Sequence, residues 1–323
     1  MEAPKTLQEA IIYFAEFENC KNFVVNQLRW TDGVVKCPRC NSEKVFWIEK
    51  ERVWKCYGKH DHAKFSMKTG TVMEESAIPV DKWLVALWMI VNCKNGISSA
   101  ETARALGVSQ KSAWFMNHRI RMAVHEGSFE KLSGHVEADE TFIGGKARNM
   151  HIAQRRRRIT GTGTKDKTAV MGVLQRGKDG KSRVRTSVLE NRKKKSIHSE
   201  VRKHVEAGSA LYTDFLLSYD GLEGQYAHKV VDHAVEYVNG NVHTNGLENY
   251  WALLKRTISG TYVSVEPFHL FRYLDEQAYR FNNRDKELND FDRFKLAASQ
   301  MLGKPLTWNE VTGKNHEPQT YSN

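Results

Sequence analysis

The sequence predicts a mixed α/β fold in which helices cover a sheet, preceded by two small modules. Three observations predict this architecture. Strand-like and helical segments alternate through the second half of the chain, three of the five cysteines cluster near the N-terminus, and two short helical patterns between these regions are separated by a glycine. For a chain of 323 residues, two or three domains are expected.

The net charge is +11, and the positive excess is local. Residues 146–203 contain 19 Lys and Arg against four Asp and Glu, and four consecutive arginines, Arg155–Arg158, lie in a stretch that we predict to be a loop. Such a block favours a polyanionic partner, with a merely solubilising surface as the alternative. The longest apolar run, Trp83–Val91, is too short to span a bilayer, and no secretion signal is evident. We therefore expect a cytoplasmic protein that is not bound to a membrane.

The N-terminal region is predicted to begin with a helix at Thr6–Glu18 and to continue with a hairpin, whose strands lie near Val45–Ile48 and Val53–Cys56. An odd number of cysteines in a reducing compartment argues against a disulfide framework. The clustered cysteines therefore indicate metal binding.

Three cysteines supply most of a metal site in this region. Cys37 and Cys40 form a Cys-x2-Cys turn, and Cys56 ends the predicted hairpin. A tetrahedral Zn²⁺ site needs a fourth ligand, which we predict to be His60 or His62, because no further cysteine follows closely. A module of this size has little hydrophobic core of its own, so we expect the Zn²⁺ to be structural. The alternative is a hairpin that folds without metal and keeps its cysteines reduced.

The next region is predicted to contain a helix-turn-helix. After an apolar helix at Lys82–Cys93, Ser98 and Glu101 form a capping-box sequence, Gly107 makes a turn and Ser109 starts a further helix. In this motif the last helix enters the major groove of DNA, although an ordinary three-helix bundle is the alternative. The expected DNA contacts are Gln110, Lys111, Asn117, His118, Arg119 and Arg121, and the expected core residues are Leu106, Val108, Trp114 and Ile120.

The second half of the chain is predicted to form the sheet. The expected strands are His135–Gly145, Thr168–Leu174, Arg183–Leu189, Ala210–Thr213 and Lys229–Val231, with a helix at Ser196–Ala207 before the fourth strand. Ribonuclease-H-like domains share this order. In such folds carboxylates come from the first strand, the fourth strand and a later helix.

Three acids occupy those positions: Asp139, Asp214 and Glu248. Hard oxygen donors suit Mg²⁺ or Mn²⁺, and a pair of such ions promotes in-line phosphoryl displacement. The helix over His243–Arg256 places Lys255 on the face of Glu248, where it could hold a phosphate, and it buries Leu247, Trp251 and Leu254. Two nearby acids, Glu137 and Glu140, are less convincing as metal ligands. Glu137 lies on the same face of the strand as Asp139, whereas Glu140 points to the other face.

Longer motifs resemble bacterial insertion-sequence transposases of the DDE class, specifically the ISXO-type group. The similar segments are CPRC with FSMKTGTV, GHVEADETFIGGK, LYTD, HTNGLENYWALLKRTISGTY and HLFRYLDEQAYRFNNR, which extend over about residues 15 to 310. The long motifs around Glu248 and after residue 269 are specific when they occur together. The altered fourth zinc ligand departs from the pattern of a zinc ribbon.

The resemblance implies a ribonuclease-H-like catalytic domain with Asp139, Asp214 and Glu248 as its acidic triad and Lys255 as its basic residue. Because some members carry Asn or His at the third position, Asn245 is a rival to Glu248. Further implications are a DNA contact at Arg256, recognition of terminal inverted repeats, hydrolysis at the 3′ ends of the element and attack of those ends on target DNA, without ATP. A homodimer or higher oligomer and association with the nucleoid follow as expectations.

The predicted parts are a helical segment at 1–30, a zinc ribbon at 31–75, a helix-turn-helix DNA-binding domain at 76–130, the catalytic domain at 131–310 and a polar tail at 311–323. Two other functions stay open: a non-catalytic DNA-binding protein derived from a transposase, and a related nuclease or resolvase. A helix at Pro267–Asn283 carries Arg272 and Arg280, with Arg284 just beyond it. These arginines either brace phosphates or pair with neighbouring acids.

Overall fold

The chain forms two compact units in a computed structural model that describes residues 2–124, 130–144, 151–158, 167–177, 181–231, 243–303 and 307–313. The first unit combines residues 1–125 with 286–323, and the second comprises residues 126–285. Within the described ranges, no helix is both long and apolar enough to cross a bilayer.

The elements follow in chain order. The helices are α1 (Leu7–Ala15), α2 (Phe17–Asn22), α3 (Val80–Asn92), α4 (Ser99–Leu106), α5 (Gln110–Ala123), α6 (Ile152–Arg158), α7 (Lys194–His204), α8 (Asn245–Thr257), α9 (Leu270–Asn282), α10 (Asp290–Ser299) and α11 (Trp308–Thr312). The strands are β1 (Val45–Ile48), β2 (Val53–Cys56), β3 (Lys64–Phe65), β4 (His135–Gly144), β5 (Lys167–Gln175), β6 (Arg183–Val188), β7 (Ala210–Asp214) and β8 (Ala227–Val231). The predicted hairpin and the five predicted strands are confirmed within one or two residues at each end.

The first unit is built around α3, whose residues are almost all buried because apolar side chains lie on every side of it. Phe14, Phe23 and Phe294 meet in an aromatic cluster, with ring centroids 5.1–5.5 Å apart, and Trp88 of α3 joins it. This cluster draws α10 into the first unit. The predicted end of the sheet domain at residue 310 is therefore wrong. Phe294 is buried in the first unit, although it follows the sheet domain along the chain.

The helix-turn-helix segment has the predicted local structure. Ser98 caps α4 and forms a capping box with Glu101. Gly107 adopts a φ of +61°, a conformation that a glycine reaches without steric cost, and the Ser109 hydroxyl caps α5. These local signals fix where both helices begin and where the first one ends.

The second unit is a five-stranded mixed sheet with the order β6-β5-β4-β7-β8. Strands β4, β5 and β6 form an antiparallel meander, and β7 and β8 continue from β4 in parallel. One face packs on α7 through Val136 and Ala138, and the opposite face packs on α8 and α9. The predicted mixed sheet with flanking helices is confirmed, and its order agrees with the ribonuclease-H-like fold.

One prediction in this unit is wrong. Arg155–Arg158, predicted to lie in a loop, belong to α6. Arginine has a high helix propensity, so four arginines in succession favour a helix over a loop.

Candidate active site

Asp139 and Asp214 lie on two neighbouring parallel strands, β4 and β7. The register of these strands pairs Glu137 with Tyr212, and Asp139 and Asp214 each follow two residues later on their own strand. Both acids share the face of Glu137 and Tyr212, because side chains alternate along a strand. The guanidinium of Arg176 bridges that face, bonding to Glu137 at 2.7 Å and lying 4.6 Å from the Tyr212 ring centroid.

Trp251 of α8 holds the side chain of Asp139. Its Nε1–H donates to Asp139 Oδ2 at 2.9 Å, and the backbone N–H of Glu140 donates to Oδ1 at 2.8 Å. Gly172 pairs with Asp139 on β5, and a Cβ at this glycine would lie 2.7 Å from the Trp251 ring. The absence of a side chain at Gly172 therefore lets the indole reach the acid. Sequence reasoning predicted Trp251 as a core residue and missed this hydrogen bond.

Glu248 is exposed on α8, and Glu137 anchors the beginning of that helix. The Glu137 carboxylate is 1% exposed and accepts a hydrogen bond from the Leu247 N–H at 2.9 Å as well as the one from Arg176. A Cβ at Gly246 would lie 2.8 Å from Glu137 Oε2, so a glycine is needed for this close approach. A carboxylate at a helix N-terminus is stabilised by the free N–H groups and the helix dipole. Glu137 thus positions the helix that carries Glu248.

The acids influence one another electrostatically. The pKa of Asp139 is raised to about 6: burial is the largest cause, the negative charges of Asp214 and Glu248 add to it, and the hydrogen bonds from Trp251 and the Glu140 amide oppose the rise. Burial, together with the charges of Asp214 and Asp139, likewise raises the pKa of Glu140 to about 7. Crowded carboxylates of this kind are a feature of sites that receive a cation.

The three predicted acids are near one another but do not form a closed metal cage. Among the residues that the structure describes, only the cysteine and histidine group of the first unit has its ligand atoms gathered within 4.8 Å. Like charges repel, so carboxylates without a cation are expected to stay further apart. Lys255 and the rival residue Asn245 are both exposed on α8, as is Arg256.

Glu140 lies on the opposite face of β4, as predicted from strand parity. Its carboxylate accepts a hydrogen bond from the buried Tyr219 hydroxyl and lies 3.2 Å from a guanidinium nitrogen of Arg192. These contacts link β4 to the segment that follows Asp214.

The metal-binding group of the first unit contains Cys37, Cys40, Cys56 and His60. Cys37 Sγ lies 3.5 Å from His60 Nε2, and Cys40 Sγ lies 3.5 Å from Cys56 Sγ. A tetrahedral Zn²⁺ with bonds of about 2.3 Å separates two sulfurs by roughly 3.8 Å, so the donors fit this ion. His62 is outside the group: its side chain is exposed, and its backbone carbonyl accepts a hydrogen bond from Arg39. Of the two predicted histidines, His60 completes the set.

The predicted DNA contacts on α5 divide into buried and exposed residues. The side chain of Asn117 is fully buried and donates to Thr102 Oγ1 at 3.1 Å, and Arg119 donates to the Val72 and Glu74 carbonyls at 3.0 and 2.6 Å. Contact of Asn117 and Arg119 with DNA is therefore a wrong prediction, because these polar groups satisfy backbone and side-chain partners within the unit. The same burial applies to His118 and Arg121, whereas Gln110 and Lys111 are exposed.

The other arginines that were considered as phosphate contacts differ in how exposed they are. Arg155, Arg156 and Arg157 are exposed on α6, and the side chain of Arg158 lies outside the described residues. In α9, Arg280 is buried in an ion pair with Glu276, so pairing rather than phosphate binding is confirmed for it. Arg284 donates to the Ser182 carbonyl at 3.0 Å.

Comparison with known proteins gives two domain matches and two relatives. Residues 131–282 match an ISXO2-like transposase domain, and residues 18–58 match a transposase zinc-ribbon domain. An uncharacterized protein in transposable element ISH50 of Halobacterium salinarum is 30% identical over 253 residues, covering 72% of this chain and 80% of that protein. An uncharacterized transposase-like protein of Haemophilus influenzae is 29% identical over 106 residues, covering 32% of this chain and 85% of its own length. No solved structure matches the chain.

Proposed function

Because the chain belongs to the family of ISXO2-like transposases, we propose that it cuts DNA at the ends of an insertion sequence and joins those ends to target DNA. One observation carries this proposal: Asp139 and Asp214 lie on adjacent parallel strands, each two residues beyond the paired Glu137 and Tyr212, and the charges of Asp214 and Glu248 contribute to raising the pKa of Asp139. Three carboxylates from separate elements are the donor set expected for divalent-metal phosphoryl transfer.

The residues that would hold Mg²⁺ or Mn²⁺ are Asp139, Asp214 and Glu248. The donor set fits, because the carboxylate oxygens are hard ligands. The pKa of Asp139 is raised chiefly by burial and also by the charges of Asp214 and Glu248, which a cation would balance. When bound, the ions supply Lewis-acid assistance to the attacking and leaving oxygens of a phosphodiester exchange.

The protein's own residues orient this site. Trp251 and the Glu140 amide hold the two carboxylate oxygens of Asp139 in one orientation. Glu137 and Arg176 fix the first turn of α8 and hence the position of Glu248. Lys255, two turns further along α8, is exposed and could bind a phosphate next to the acids. If Asn245 supplied the third ligand instead of Glu248, it would do so from the first turn of the same helix.

The proposal is tested with duplex DNA carrying the inverted repeats that flank this gene. In Mg²⁺ or Mn²⁺ the wild type is expected to nick the element ends and to join the free 3′ ends to a target plasmid, and omission of Mg²⁺ and Mn²⁺ is expected to stop both steps. Cutting without joining would favour the nuclease or resolvase alternative. Binding to the repeats without either step, at all divalent-ion concentrations, would favour the non-catalytic alternative.

Double-stranded DNA is the proposed partner, and joining two ends favours a homodimer or higher oligomer. If Arg155, Arg156 and Arg157 bind phosphates, changing all three to alanine should reduce the slope of log affinity against log salt by about 0.9 for each phosphate that is no longer neutralised. The control is Lys181→Ala, because the Lys181 charge already pairs with Asp285 at 2.9 Å. Fluorescence anisotropy over a salt series measures the slope, and equal slopes for the wild type and the triple variant would exclude α6 from the interface.

A further inference from the structure

Two large apolar side chains are exposed directly after Asp214. Phe215 is 70% exposed and Leu217 is 73% exposed. Single exposed apolar residues are common on protein surfaces. These two differ because they flank one residue, Leu216, and follow immediately on an acid of the proposed catalytic site.

The segment that carries them is held in place by the residues between and after them. Leu216 packs against the core beneath the sheet, and the Tyr219 hydroxyl donates to the Glu140 carboxylate. The Ser218 hydroxyl donates to the Arg192 carbonyl at 2.8 Å. Because Leu216, Ser218 and Tyr219 make these contacts, the segment is held against the sheet with the side chains of Phe215 and Leu217 exposed.

A basic run lies beside this pair. The Ser218–Arg192 hydrogen bond joins the segment to the beginning of α7, where Lys193, Lys194 and Lys195 are all exposed. Exposed apolar or aromatic groups next to a row of cations are the combination with which proteins hold unstacked bases and their phosphates. A second copy of this chain would gain less from the surface, since each copy carries the same excess of positive charge.

We propose that Phe215 and Leu217 bind an unstacked base at the DNA step that is cut, while Lys193–Lys195 contact the neighbouring phosphates. This inference rests on the proposed function, because the acids must reach a phosphodiester that base stacking would otherwise hold in a regular duplex. Apolar side chains inserted at a base step open and kink DNA in this way, and the cost is smallest where bases are already unpaired.

The first test measures base unstacking without any chemistry. Full-length protein is mixed, without added Mg²⁺ or Mn²⁺, with a duplex that carries the flanking inverted repeat and 2-aminopurine next to the cut. The wild type is expected to raise the fluorescence, and Phe215→Ala to abolish most of the rise. Phe215→Trp is expected to restore unstacking, as seen by the reactivity to permanganate of a thymine that replaces 2-aminopurine in a second duplex. The matched control, Phe271→Ala, removes another exposed phenylalanine of the same unit, 45% exposed, and should behave as the wild type.

The second test compares cleavage of paired and unpaired ends. Phe215→Ala is expected to cut the fully paired end about tenfold more slowly, as removal of one base–aromatic stack predicts, and to recover on an end with unpaired bases at the cut. An equal reduction on both ends, or no reduction on either, would overturn the proposal. So would an altered oligomeric state of the Phe215→Ala variant in sedimentation with unchanged base fluorescence. If the wild type unstacks the base but never cuts, the proposed function fails and this inference survives.

Discussion

The Asp139→Ala variant is expected to lose at least about 1,000-fold in the rate of DNA end cleavage, because a divalent ion contributes several kcal/mol to such a reaction. Asp139 is the central acid of the proposed site: Asp214 lies on the neighbouring strand, the charges of Asp214 and Glu248 contribute to raising its pKa, and Trp251 donates a hydrogen bond to it. DNA affinity should be unchanged, since the side chain is partly buried at the sheet surface. Single-turnover cleavage and anisotropy on the same duplex measure the two quantities.

A matched control separates loss of a ligand from loss of the fold. Glu140 is adjacent to Asp139 and also acidic, but it faces the opposite side of β4. Glu140→Gln should therefore retain far more cleavage than Asp139→Asn. If Asp139→Ala cuts as fast as the wild type, the assignment of the site is wrong.

The raised pKa of Asp139 adds a signature in stability. The folded-state pKa is about 6 against an ordinary value of 3.8, so the ionised carboxylate is disfavoured in the folded protein. The stability associated with the neutral acid is present below about pH 4 and is lost as the pH rises through 6. Without added Mg²⁺ or Mn²⁺, Asp139→Asn should thus be more stable than the wild type by about 3 kcal/mol at pH 8 and no more stable near pH 4. Urea unfolding at both pH values measures the difference.

Removing Zn²⁺ is expected to unfold the zinc-ribbon module, because structural zinc sites contribute about 10–16 kcal/mol of apparent binding free energy at neutral pH. The four donors lie within 4.8 Å of one another, and Gly58 fits against them: a Cβ there would be 2.7 Å from Cys40 Sγ. A Cys40→Ser variant should contain substoichiometric zinc, and limited proteolysis should cut it between residues 31 and 75. Elemental analysis of purified protein measures the zinc content.

The controls come from residues that resemble the ligands but lie outside the group. His60→Ala should lose zinc, whereas His62→Ala should retain it, and Cys93→Ser should bind zinc as the wild type does. Zinc retained in both His60→Ala and Cys40→Ser would mean that these donors do not bind the ion. Loss in His62→Ala alone would mean that His62 is the fourth ligand.

Structural features that arise from interactions between residues close together in the sequence were predictable. Ser98, Glu101 and Gly107 mark the ends of α4 by local hydrogen bonding and backbone conformation. The apolar stripe of α8 predicted the burial of Leu247, Trp251 and Leu254. The order of strands and helices, compared with ribonuclease-H-like folds, led to the prediction that Asp139, Asp214 and Glu248 belong to one site.

Contacts between distant residues decided the rest. Asn117 and Arg119 have the chemistry of DNA contacts, but other segments of the first unit cover them and supply their hydrogen-bond partners. Glu137 differs from Glu140 by only three positions, and its role at the start of α8 depends on a pairing across 110 residues.

The sequence by itself determined the zinc-ribbon cysteines, the capped ends of α4 and the strands, because spacing, capping and periodicity act over a few residues. Only the tertiary structure decided that His60 rather than His62 completes the metal group, that α10 packs in the first unit and that Trp251 reaches Asp139 across Gly172. Each of these features forms only when segments distant in the sequence pack together and exclude water, which depends on the fold of the whole chain.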